Sequence, residues 1–134
     1  MLAVATVLIV GIAASVTVLV VTRDRSHTIQ GALDVGTVEL ASGCRLASIY
    51  QGIAKGTEVV ITDVSGAVVA RSSLSFGRKI GPFCEFLFSA EVPDRTMYRI
   101  EVDHRGQVTY TKAYLEFYRW NAGLALRSSR LTWS

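Results

Sequence analysis

The sequence carries no pattern that usually announces chemistry. HExxH, DxDxDG and paired-histidine motifs are absent, as are GxGxxG, GxxxxGK[ST] and the GxSxG elbow. These absences exclude a readable metal site, a phosphate cradle and an α/β-hydrolase nucleophile. There are only two cysteines, with no CxxC and no histidine near either, so a metal knuckle is excluded and a catalytic thiol lacks a base. There are only two histidines: His27 sits near the apolar N-terminus, and His104 lies between Asp103 and Arg105. Asp103 and His104 are adjacent, so their side chains diverge and do not suggest a triad. Basic surplus is nearly absent too. From Arg23 to Tyr118 eleven basic residues balance eleven acidic ones, and the net +3 comes from Arg119, Arg127 and Arg130. No Lys/Arg stripe follows one face, so nucleic acid is not expected as a partner.

Charge is also missing from Met1 to Thr22, which reads MLAVATVLIVGIAASVTVLVVT. As a helix it would span about 33 Å, against about 30 Å for a bilayer core. The run exceeds the apolar stretch of a cleaved signal peptide and has no small-x-small site near its end. The expectation is a transmembrane anchor over residues 1–22, a polar stem over 23–27, a β domain over 28–118 and a flexible tail over 119–134. The membrane lipid would then be one partner. Arg23 and Arg25 follow the run and would place the domain in the cytoplasm by the positive-inside rule. The cysteines argue for the other side, and the expected orientation is extracytoplasmic.

Cys44 and Cys84 each flank a predicted strand. Two separate buried thiols are one reading. Beside an apolar N-terminus, a Cys44–Cys84 disulfide is the preferred one, closing a loop of about 40 residues with a stabilisation of roughly 4 kcal/mol.

Beyond the stem the pattern has period two. Ile29 and Leu33 share a face. Thr57–Thr62 is rich in β-branched residues, and Asp63-Val64-Ser65-Gly66 is a turn leading to a return strand over 67–71. Residues 75–83 read as a loop, with Gly77 to Gly81 as a basic glycine segment. Cys84, Phe86 and Phe88 alternate with Glu85, Leu87 and Ser89. Tyr98, Ile100 and Val102 alternate with Arg99 and Glu101. Residues 103–106 turn, and 107–117 form the last strand, with Val108 and Tyr110 on one face. Glu39, Glu58, Glu85 and Glu101 are scattered over exposed faces. The ring residues Phe83, Phe86, Phe88, Tyr98, Tyr110, Tyr114, Phe117 and Tyr118 are expected in the core. About seven short strands with regular turns predict an all-β, Ig-like antiparallel β-sandwich.

Several segments carry a resemblance. They are Gly43-Cys44, Ile53 to Thr57, Val59 to Gly66, Cys84 to Phe88, Val92-Pro93, Tyr98 to Val102 and His104 to Tyr110. Over residues 28–117 the chain resembles a family of small membrane-anchored or secreted β-domain proteins from actinobacteria. The resemblance implies an uncleaved anchor and a β domain with this cysteine pair, and no activity. Residues 45–50 depart from the family's glycine- and tyrosine-rich segment.

The functional expectation is a non-enzymatic interaction or accessory module in the cell envelope, with an envelope or membrane protein as partner. A binding domain for an envelope lipid or glycan is the alternative. No catalytic, cofactor-binding or metal residue is expected.

Overall fold

The computed structural model describes residues 25–37, 44, 46, 50–127 and 129–134. In these segments nine strands and one short helix form two sheets: β1 Ser26–Gly36, β2 Glu58–Thr62, β3 Val68–Ser73, β4 Arg78–Ile80, β5 Phe83–Pro93, β6 Met97–Val102, β7 Gln107–Thr111, α1 Lys112–Phe117, β8 Asn121–Arg127 and β9 Arg130–Trp133. One sheet has the order β4-β5-β1-β8-β9 and the other β3-β2-β6-β7.

Strict alternation decides which side of each strand is buried. β1 turns Ile29, Leu33 and Val35 inward, and β5 turns in Cys84, Phe86, Phe88, Ala90 and Val92. They meet Val59 and Ile61 of β2, Tyr98, Ile100 and Val102 of β6, and Val108 and Tyr110 of β7 from the opposite sheet. The hairpin expected from Thr57 to Arg71 is present as β2–β3. Its turn is set by Asp63, whose Oδ1 accepts from the Ser65 N–H and hydroxyl at 2.9 and 2.6 Å. Cys44 and Cys84 are disulfide-bonded with Cα atoms 5.5 Å apart.

Five expectations are corrected. The sandwich has nine strands among the described residues, not about seven, because the supposed tail contributes β8 and β9. It is not wholly antiparallel: β8 runs parallel to β1, with Gln30 opposite Asn121 and Val35 opposite Leu126. It is not Ig-like either, since an Ig sandwich starts at a sheet edge and here β1 lies between β5 and β8. The last predicted strand ends at Thr111, where α1 begins.

The fifth correction concerns the membrane. No helix among the described residues is long and apolar enough to cross one. The α-helix among the described residues has six residues, about 9 Å against a bilayer core of about 30 Å. The expected anchor falls on residues 1–22, outside the described residues. The single-pass topology, the lipid partner, the envelope location and the anchored accessory or lipid- and glycan-binding role all depended on it. None has support in the structure, which defines a β domain alone.

Candidate binding surface

The residues of most interest follow β7. Thr111 caps α1, its hydroxyl accepting from the Tyr114 N–H at 3.1 Å. This is the ordinary role of a threonine before a helix. Leu115 is fully buried and fixes the helix to the core. Tyr114 and Tyr118 stand four residues apart, so they share a face. Their ring centroids are 4.6 Å apart. Phe117 meets Tyr118 edge-on at 5.0 Å, and Trp133 from β9 lies over Tyr114 at 6.3 Å. Beneath the row Tyr110 is buried, 5.4 Å from Tyr114 and 6.0 Å from Trp133, its hydroxyl donating to the Gly123 carbonyl. Burial pushes the Tyr110 hydroxyl above its ordinary pKa, so it remains a donor. The upper rings are exposed: Tyr114 39%, Tyr118 50%, Trp133 58% and Phe117 79%.

After Tyr118 the chain reverses in two residues. Arg119 and Trp120 both have positive φ, 56° and 64°, and Asn121 N–H donates to the Tyr118 carbonyl at 3.2 Å. Side chains of this bulk seldom adopt that conformation. Trp120 is held at several points. Its N–H donates to Leu115, its carbonyl accepts from Gln30, and its indole stacks on His27 at 4.0 Å with 7° between the planes.

A polar cluster lies beside Trp120. Asp94 Oδ1 is 3.1 Å from His27 Nε2 and 2.7 Å from Lys112 Nζ. Hydrogen bonds from Lys112 and then His27 hold the Asp94 carboxyl below its usual range, and Asp94 raises Lys112. Asp63 is lowered by the Ser65 hydroxyl first, with Arg95 Nε 3.3 Å away contributing. The Tyr98 hydroxyl donates to the Pro93 carbonyl at 2.6 Å and accepts from Arg95 N–H at 2.9 Å, and burial raises its pKa. These bonds knit β1, β5, β6 and α1 together at one end of the sandwich.

The other candidates from the sequence do not converge. His104 is exposed on its turn, 3.6 Å from Glu101, and Asp103 binds Arg105 at 3.0 Å instead. A cavity of about 60 Å³ lies among Glu58, Val60, Glu101, Asp103 and His104, too small for a metabolite. No group of metal-binding side chains occurs among the described residues. The basic glycine loop is partly strand: Arg78–Ile80 form β4, and Arg78 pairs with Glu85 at 3.2 Å. Ser72 and Ser75 spend their hydroxyls on the chain's own backbone.

The expectation that the later aromatics are all core is half right. Phe86, Phe88, Tyr98 and Tyr110 are buried, while Phe83, Tyr114, Phe117 and Tyr118 are exposed. Trp133 was missed outright. Its signal was the alternation of Leu131 and Trp133 in a short β-like segment. The chain matches no family model, no curated protein and no solved structure.

Proposed function

We propose that this domain is a non-enzymatic protein-binding module whose recognition face is the row Trp133, Tyr114, Tyr118 and Phe117. The observation that carries the reading is the unbroken contact of four rings that all remain exposed on a rigid platform. Rings in water forgo burial worth about 25 cal/mol per Å². Aromatic residues of this kind dominate protein interfaces because they offer large area with little side-chain entropy to lose. The absence of a nucleophile–base pair in the polar cluster fits binding better than catalysis.

The test is affinity for peptides selected from a displayed random library on the full chain. Phe117→Ala and Tyr118→Ala should each weaken binding about 10-fold or more, equivalent to about 1.4 kcal/mol, with the melting temperature nearly unchanged. Undiminished binding by the double variant would overturn the reading.

A further inference from the structure

We infer that the recognition face takes a second copy of this chain, the two α1 helices pairing antiparallel about a two-fold axis. This rests on the protein-binding reading and names the partner.

A two-fold interface must complement itself, because each patch meets the same patch inverted. The face around α1 meets that condition. At about 100° per residue, Ala113 and Phe117 lie on the side of α1 away from buried Leu115. They stand four positions apart and form one outward stripe, both exposed. Phe117 is 79% exposed and projects as a knob. Ala113, one turn earlier, leaves a hollow beside it. Antiparallel pairing centred between the two lays Phe117 of each copy over Ala113 of the other.

The flanks of the stripe match as well. Tyr114 and Tyr118 form one flank, with Trp133 over Tyr114. A two-fold axis running across the helices keeps each flank on its own side, so Tyr118 of one copy arrives beside Tyr114 and Trp133 of the other. Lys112 and Glu116 form the opposite flank, and the same operation sets Lys112 of one copy against Glu116 of the second. Lys112 gives one ammonium hydrogen to Asp94 and keeps donors for a second carboxylate. Glu116 is exposed and takes part in none of the ion pairs among the described residues. Knob meets hollow, ring meets ring and base meets acid, all through one operation. An unrelated partner would require none of these matches. The exposed parts of the four rings amount to roughly 450 Å² per copy, taking about 200 Å² for a whole ring residue. That is over half of the ~800 Å² per partner of a standard interface, with Ala113 and the charged flank as rim. A reversible dimer follows, with a dissociation constant on the order of 10 μM.

Sedimentation equilibrium of the full chain, over concentrations spanning that constant, provides the test. Phe117→Ala removes the knob and Ala113→Trp fills the hollow, and each should weaken self-association at least tenfold. An equimolar mixture of the two variants should recover it, because the new ring of one copy then faces the truncated side chain of the other. Glu116→Lys should weaken it too, by setting like charges face to face. Self-association indifferent to Phe117→Ala and Ala113→Trp would overturn the inference, since it would use another surface. Weakening by both without recovery in the mixture would overturn the antiparallel pairing. A chain that stays monomeric yet selects peptides dependent on Phe117 and Tyr118 would overturn the second copy and leave the recognition face intact. A monomeric chain that selects no peptide would overturn both. Should Ala113→Trp lower the melting temperature, Ala113→Met takes its place in the same mixture.

Discussion

Gly31 tests the packing on which the platform stands. It occupies an inward position of β1, between Ile29 and Leu33, and pairs in register with Phe88. A Cβ there would fall 2.0 Å from Cε1 and Cζ of Phe88 and 2.6 Å from Cδ1, where carbon atoms prefer about 3.5–4.0 Å. The ring must retreat by roughly 1.5 Å into a core packed as densely as a crystal. Phe88 is 4% exposed and cannot swing into solvent. Overpacking of this kind costs about 1–3 kcal/mol. Lost unfolded-state freedom offsets about 0.4–1 kcal/mol of it. Gly31→Ala should therefore cost about 1.3 kcal/mol, lowering the melting point by roughly 5–10 °C for a domain near this size. Urea unfolding followed by the fluorescence of Trp120 and Trp133 measures it. In the Gly31→Ala, Phe88→Leu pair the costs should fall short of additive by about 1–2 kcal/mol, because the smaller side chain vacates the space. An unchanged urea midpoint for Gly31→Ala, or strict additivity in the pair, would refute the reasoning.

Two further outcomes follow from covalent and ionic links. Cys44 and Cys84, 40 residues apart, should be unreactive to thiol reagents in denaturant until reduced; loss of the bond should cost about 4 kcal/mol by loop-closure entropy, and two reactive thiols before reduction would contradict the structure. Asp63 and Asp94 are depressed in the folded state, so each adds stability that is complete above the unfolded carboxyl value of about 3.9 and fades as pH falls through its lower folded value. Asp34 acts oppositely, raised by burial and then by Glu85. Acid unfolding should be shallower in Asp63→Asn and in Asp94→Asn; a slope unchanged in both would show that neither carboxylate is tied as described.

How much of this could be read from the chain depends on the range of the forces. Period-two burial in β1, β5, β6 and β7 is a local property, and Ile29, Phe86, Tyr98 and Val108 show it residue by residue. The hairpin at Asp63 is equally local, since the carboxylate ties its own turn. Ala122, Leu124 and Leu126 alternate in the same way, so β8 was legible, and an excess of arginine obscured it. Its parallel place beside β1 was not legible, because that pairing joins residues about ninety positions apart. A helix of six residues is unstable alone. The burial of Leu115, the Thr111 cap and the Lys112–Asp94 pair sustain α1, and all but the cap are tertiary, so sequence periodicity could not announce it. The exposed rings were hidden for the same reason: once the strand ends at Thr111, alternation no longer says which way Tyr114, Phe117 and Tyr118 face.

The Arg119-Trp120 turn links these features. Asn-Gly would make the same reversal without steric cost, because both residues tolerate positive φ. Instead two bulky residues occupy it, at a cost of order 1–3 kcal/mol each. Strain of that size persists only where the surroundings over-determine the backbone. Here they do so through the His27 stack, the Leu115 carbonyl and Gln30 of β1. The turn performs two tasks at once: it sets β8 beside β1, and it ends α1 with Tyr118 still facing Tyr114. Relaxing it would loosen the ring row and the register of β8, and with β8 the β9 edge that carries Trp133. The strain therefore lies at the one position through which both halves of the proposed recognition face are aligned.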